Sequence, residues 1–351
     1  MQSGSERKSG SSAACKIATR VAAGFAALLL IMLAFHVLTE FQRARRANAA
    51  VDTIALTNVL LDDLARERSE AIYLAVSPDA GTADFAERAG ATDGTLAALG
   101  RSPLFKPGIL SRRQQAVAQQ AVAAIGELPA LRAQVMARET GTIEIAQAYT
   151  ELTDTVIGAM GDVFDEMSPG LSAFSVEYEA LARLLDRANL EVGVVYAGFA
   201  LADMPAPLHA VLTEAIAGQE AAKDAFREAA GPSRGLDLDA LLGLTEGLEL
   251  HQVRANMHAA SRTGSPDPAL RALWSEIMPA RIADLVLERN RFARENLEAL
   301  AAASHARLRQ AVLREVVALA VLGLSFIVVR GGVAMIARRR RTRRTPVLPA
   351  N

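Results

Sequence analysis

The chain contains a single cysteine, Cys15, among its 351 residues. One cysteine can form neither an intrachain disulfide nor a cysteine-rich zinc site. Aromatic residues are also scarce, at 5% of the sequence, although hydrophobic residues make up 51%. Strands favour aromatic and β-branched side chains, so this composition argues against a β-sandwich.

The common enzyme signatures are missing as well. The sequence has no glycine-rich phosphate loop, no Gly-x-Ser-x-Gly elbow, no His-Glu-x-x-His and no kinase motif set. We therefore expect a protein that is not an enzyme and has no catalytic residue, cofactor or metal. His251, Arg254, His258 and Arg262 share one predicted helix face, where Arg254 would repel a cation. That face is either a solvated basic stripe or a second anion-binding face.

Glycine and proline are absent from two long stretches, residues 25–77 and 280–322. These residues are the strongest helix breakers, so each stretch predicts one unbroken helix, about 65–80 Å long at about 1.5 Å per residue. Between the stretches, apolar residues recur every three or four positions, which predicts further helices. The fold class predicted is therefore all-α, with long up-and-down helical bundles between two transmembrane helices. The turn signals between helices are SPDAGT (77–82), GRSPLFKPG (100–108), SPG (168–170), DMPAP (203–207), AGPSRG (230–235) and RTGSPDP (262–268).

Two apolar segments are long enough to cross a membrane. Residues 21–38 carry no charge, and residues 316–337 are interrupted only by Arg330. A span needs about 20 apolar residues, and a long arginine side chain reaches the headgroups from near a helix end. His36 and Arg330 are polar groups at membrane depth, where such residues often have a function.

The basic residues predict the topology. Six arginines follow the second span, between residues 338 and 344, and cytoplasmic segments carry the excess of positive charge. We expect a cytoplasmic N-terminus (1–20), a periplasmic domain (39–315) and a basic cytoplasmic tail (338–351), in a bacterial inner membrane. Next to a span, topology and anionic lipid explain the arginine tail better than nucleic acid does, so we expect no nucleic-acid partner.

Arg68 is the most informative charged residue. On a helix it lies on the apolar stripe of Leu61, Leu64, Ile72 and Ala75. A guanidinium directed into a bundle core needs an anion, because an unpaired buried charge is very costly. The anion is either an acidic side chain from another helix or a planar oxyanion ligand, which suits the parallel donors of arginine.

The segments LARERSEAIYLAVS and AERAGATDGTLAAL resemble the opening of the nitrate- and nitrite-sensing (NIT) domain family. The likeness spans roughly residues 50–300. The elements that carry it are a Glu-Arg pair at Glu67 and Arg68, an Arg…Thr-Asp segment at Arg88, Thr92 and Asp93, Tyr149, the helix at 171–200, and the helix at 273–290.

The resemblance implies a bacterial sensor domain between two membrane spans. The family's fold is helical, with two four-helix bundles sharing long helices, and arginines from separate helices bind its ligand. Arg68 matches the first of these arginines. In the family's mid-domain Glu-x-x-Gly-x-Glu-Arg, Gly193 matches the glycine, whereas Val195 and Tyr196 stand in place of Glu-Arg. The ligand-binding residues implied are thus Arg68, Glu67, Gly193 and Tyr196.

We therefore predict a membrane-anchored receptor whose periplasmic domain binds a small oxyanion such as nitrate or nitrite. About a dozen residues follow the second span, so the signal should pass through the membrane helices to a separate partner. We expect a homodimer, because long parallel helices can bury their apolar stripes together. The alternative is a membrane scaffold or degenerate receptor that binds no small molecule.

Overall fold

The computed structural model describes residues 7–77, 80–106, 108–167, 172–245 and 247–342. Within these ranges the regular structure is helical and contains no strand, which confirms the predicted all-α class. The helices are α1 (Arg7–Val76), α2 (Ala83–Gly100), α3 (Arg112–Ile125), α4 (Leu128–Met136), α5 (Thr142–Met167), α6 (Ser172–Leu201), α7 (Ala206–Thr245), α8 (Leu248–Thr263) and α9 (Ala269–Thr342), with a short 3-10 helix at Pro103–Phe105.

Most of the predicted turns fall between helices. The signal at 77–82 separates α1 from α2, that at 203–207 separates α6 from α7, and that at 262–268 separates α8 from α9. The signal at 230–235 is a kink inside α7 instead, where Gly231 has φ 74° and ψ 177°. Glycine reaches this backbone conformation without a steric penalty. The signal at 168–170 lies outside the described residues.

The two stretches free of glycine and proline lie in the two longest helices, α1 and α9, of 70 and 74 residues. Helix α9 begins upstream of its stretch and continues through Pro279. Proline inside a helix costs about 3 kcal/mol. Trp274 and Met278, which precede it on α9, are fully buried, and the apolar area that they bury offsets this cost.

The chain divides into two compact units, and α1 and α9 contribute to both. One unit comprises Met1–Ala44 and Ala302–Asn351. Its helices carry apolar segments long enough to cross a membrane, with only 6% of each segment buried within the protein. Phe35 on α1 and Ile327 on α9, for example, are 70% and 67% exposed. Two exposed apolar helices are consistent with a two-span membrane protein. Residues 1–6 and 343–351, parts of the predicted cytoplasmic ends, lie outside the described residues.

The second unit, Arg45–Ala301, contains the main hydrophobic core. Within it α6 packs very closely against α1 at Gly193. A Cβ atom at that position would lie 3.3 Å from Cα and Oγ of Ser69. Glycine therefore allows the two backbones to approach, and this approach places the polar residues of α6 beside Arg68.

Candidate functional site

The guanidinium of Arg68 is fully buried, as the sequence predicts, and an acidic residue of α6 faces it. Its Nη2 donates to the backbone oxygen of Asp186 at 2.8 Å and lies 3.0 Å from Oδ1 of the same residue. Its Nη1 donates to Thr150 Oγ1 at 3.0 Å and to Asp186 Oδ2 at 3.3 Å. The remaining donor, Nε, is buried and has no hydrogen-bond acceptor among the described residues. Of the two anions expected from the sequence, the protein supplies the acidic side chain.

Asp186 also faces a second guanidinium. Arg187 Nη1 lies 2.6 Å from Asp186 Oδ2, and its Nη2 lies 2.6 Å from Asp154 Oδ2. Burial lowers the pKa of Arg187, but the two carboxylates outweigh that effect and raise it above its ordinary value. The Asp186 carboxylate is therefore held between the guanidinium groups of Arg68 and Arg187.

A second buried carboxylate, Glu191, lies further along α6. Arg254 of α8 forms a bidentate ion pair with Glu191, with distances of 2.6 Å from Nε to Oε1 and 2.7 Å from Nη2 to Oε2. Arg281 of α9 places Nη1 3.9 Å from Oε2. Gln219 of α7 donates to Glu191 at 2.8 Å and accepts from Arg281 at 2.8 Å. All four side chains are less than 10% exposed.

We call this group of residues the arginine layer. In this layer, guanidinium groups from four helices meet two carboxylates of α6. The part around Asp186 and the part around Glu191 are joined by Gln219, which donates to the backbone carbonyl of Arg187 at 3.4 Å. Planar guanidinium groups donate parallel hydrogen bonds that match planar oxyanions. The members of the layer are Arg68, Asp186, Arg187, Glu191, Gln219, Arg254 and Arg281.

Glu67, the neighbour of Arg68, belongs to a different cluster. Both of its oxygens accept from Arg132, at 2.7 and 2.8 Å, and Tyr149 donates to it at 2.5 Å. Arg132 also donates to Asp93 at 2.7 Å. Burial, followed by the charge of Glu67, raises the pKa of Tyr149 above its ordinary value, so the phenol keeps its proton. Glu67 and Asp93 are both elements of the sequence resemblance, and both accept hydrogen bonds from the guanidinium of Arg132.

Neither Gly193 nor Tyr196 is among the described residues that accept a hydrogen bond from the guanidinium of Arg68. Gly193 is the contact point with Ser69, as described above. Tyr196 lies ten residues beyond Asp186 on α6, about 15 Å along the helix. Its hydroxyl lies 3.2 Å from Ser275 Oγ.

The basic face predicted on α8 is only partly solvated. His251 and Arg262 are exposed, but Arg254 is 7% exposed and turned toward Glu191, so a fully solvated stripe was the wrong expectation for it. His258 lies 2.7 Å from His209, ring nitrogen to ring nitrogen. Burial, then the charges of His209, Arg254 and Arg262, lower the pKa of His258. No group of three potential metal ligands occurs in the described ranges.

Sequence reasoning missed Arg132, Arg187 and Arg281. The signal for Arg281 was present, because it follows Trp274 and Met278 on the buried face of α9, as Arg68 follows Leu64 on α1. Arg132 and Arg187 carry no such signal. Both are amphipathic residues at the edge of the core, and only the tertiary packing shows their partners.

Comparison with known proteins gives two findings. The family model described as nitrate and nitrite sensing matches residues 59–295. The solved structure of the NasR transcription antiterminator is similar in fold, with a TM-score of 0.58 and 21% sequence identity over 82% of this chain and 77% of that one. No curated protein sequence matches the chain.

Proposed function

The chain belongs to the nitrate- and nitrite-sensing domain family, and on this basis we propose that the unit Arg45–Ala301 binds a small planar oxyanion, nitrate or nitrite, in the arginine layer. Arg68 is the central ligand-binding residue in this proposal. Arg254 and Arg281 take the place of the second family arginine, which the sequence lacks at Tyr196. Glu67 then supports the site because it holds α1 to α4 and α5. Gly193 supports it because it sets the spacing of α1 and α6.

One observation carries the proposal. The Nε donor of Arg68 is buried and has no acceptor among the described residues. A buried donor without an acceptor costs about 1–3 kcal/mol. An oxyanion beside this edge of the guanidinium accepts from Nε and one Nη in the bidentate geometry that arginine favours. Binding therefore satisfies a donor that the described part of the chain leaves without an acceptor.

The same site suggests how binding changes the protein. An anion at Arg68 competes with Asp186, which holds the guanidinium against α6 in the free protein. Exchange of one anion for the other changes the contact between α1 and α6. A ligand shifts a conformational equilibrium only by its differential affinity for the two states, and this exchange supplies the difference.

We further propose that the apolar segments of α1 and α9 anchor the receptor in a bacterial inner membrane, with a periplasmic sensor domain and both ends cytoplasmic. A separate signalling protein then receives the change through the membrane helices. The exposed apolar side chains of these segments support the anchoring. The arginines at 338–344 support the orientation.

The alternative function is a membrane scaffold or degenerate receptor with no small-molecule ligand. The pairing of Arg68 with Asp186 favours it, because a guanidinium that already has a counter-ion does not require a ligand. The two proposals differ in whether the carboxylate or a solute anion is the preferred partner of Arg68.

Anion titration of the purified full-length chain separates them. We would follow thermal unfolding at constant ionic strength while chloride is replaced by nitrate or nitrite. The receptor predicts a saturable rise in melting temperature that Arg68→Ala abolishes. Arg289→Ala is the matched control, since Arg289 is buried like Arg68, at 1% exposed, but pairs with Asp62 outside the layer.

Both substitutions should lower the melting temperature, but only Arg289→Ala should keep the response to nitrate. If no anion at millimolar concentration shifts the melting temperature of the wild type, the scaffold is the better account.

A further inference from the structure

The unit formed by Met1–Ala44 and Ala302–Asn351 contains a cavity of about 630 Å³ between α1 and α9, which we call the groove. Residues 30–41 of α1 and 308–319 of α9 line it, and all but one of the lining residues are apolar. The exception is Glu315. The cavity lies where α1 leaves the first predicted span and α9 enters the second, and Glu315 directly precedes the second span.

Glu315 is 8% exposed, and its Oε2 has no hydrogen-bond partner among the described residues. A buried carboxylate without a donor is costly, and more so where the surroundings are lipid. A hydrogen-bond donor that enters the groove from outside the protomer satisfies Oε2.

His36 is the polar side chain of α1 that lies at the same height. The two helices run in opposite directions, so the start of the lining stretch on α1 lies opposite the end of the stretch on α9. Residue 36 is therefore at the same height as about residue 313. His36 is exposed and makes no hydrogen bond within the described residues. At about 100° per residue it lies about 130° around α1 from the centre of the groove-lining face, so it cannot reach Glu315 of its own chain.

We propose that a second copy of this chain packs its α1 into the groove, and that its His36 donates a hydrogen bond to Glu315. Two-fold symmetry makes the contact reciprocal, with α1 beside α1 and each His36 turned toward the other chain's α9. His36, inside the first predicted span, and Glu315, at the edge of the second, then satisfy each other, and ionisable residues in or near membranes usually pair in this way. The lining side chains supply the remaining apolar contact.

This inference rests on the proposed membrane anchoring but not on anion binding. It is tested with the full-length chain in phosphatidylcholine liposomes. The single cysteine, Cys15, carries a donor dye in one population and an acceptor dye in the other. Energy transfer as the chain is diluted with lipid measures the dimer dissociation constant.

The variants are His36→Glu, Glu315→His, and the two together. Each single change should weaken association about tenfold, because two symmetric hydrogen bonds are lost. The exchanged pair should restore association to near the wild-type value. Val317→Ala is the control, since Val317 is 54% exposed and does not line the groove.

The inference is overturned if the single variants associate like the wild type, or if the exchanged pair fails to restore what each single change removes. A lipid seated in the groove gives the first of these outcomes. Flotation of the chain with the liposomes tests anchoring in the same samples, and nitrate-dependent melting tests the proposed anion site. Failure of the dimer contact is thereby distinguished from failure of either part of the proposed function.

Discussion

Replacement of Asp186 by asparagine should make the protein less stable but more responsive to nitrate. Removal of one partner of a buried ion pair costs about 3–5 kcal/mol, because the other charge is left uncompensated. Arg68 keeps its hydrogen bonds to Thr150 and to the backbone oxygen at position 186. We therefore expect a loss near the lower end, about 3 kcal/mol in the free energy of unfolding.

Nitrate should recover most of this loss. A ligand that binds only the folded protein adds about 2.7 kcal/mol when its concentration is a hundred times its Kd. In Asp186→Asn the guanidinium of Arg68 no longer has a competing carboxylate, so the variant should bind nitrate more tightly than the wild type does. The stabilisation by a fixed nitrate concentration should be larger in the variant.

Urea unfolding followed by circular dichroism, in nitrate and in chloride at equal ionic strength, measures both effects. Asp62→Asn is the control, because Asp62 accepts from the buried Arg289 at 3.0 Å and lies outside the arginine layer. It should lose stability and gain nothing specific from nitrate. Equal gains in the two variants, or none in Asp186→Asn, would refute the reasoning that Asp186 occupies the position of the ligand's charge.

Other substitutions test the surroundings of the site. Gly193→Ala should destabilise the protein by about 1–3 kcal/mol, because the new methyl group crowds α1; Gly158→Ala, on an open face of α5, should stabilise it by up to about 1 kcal/mol. Tyr149→Phe should cost about 1.5–3 kcal/mol in urea unfolding, since it removes a hydrogen bond to the charged Glu67. The lowered pKa of His258 means that its neutral form favours the folded state, so its contribution is present above pH 6.5 and is lost as pH falls below 6.5. Thermal unfolding between pH 7.5 and 5 should show a smaller decline in His258→Gln than in the wild type, and identical declines would contradict this assignment.

The helical class could be predicted because it depends on local features. The middle parts of α1 and α9 follow from the stretches 25–77 and 280–322, which lack glycine and proline, and the ends of α1 and α6 follow from their turn signals. The breaks between α3, α4 and α5 were not predicted. Gly126 and the Arg138 turn, with φ 56° at Arg138, end short helices within sequence of high helical propensity.

The candidate site was predictable only in part, because its contacts are distant in sequence. The apolar neighbours of Arg68 predicted its burial. Its partner Asp186 lies 118 residues away, so the pairing depends on how α6 packs against α1. Tyr196 was chosen from a motif position, and its part in ligand binding stays a prediction; its hydroxyl lies 3.2 Å from Ser275 Oγ.

The structure of the full-length protein determined with nitrate present tests the account most directly. We predict one nitrate ion within hydrogen-bond distance of Arg68 Nε, with the Asp186 carboxylate displaced from its contact at 3.0 Å. If the ion lies elsewhere, or if Arg68 and Asp186 keep their contact at saturating nitrate, the proposed site is wrong.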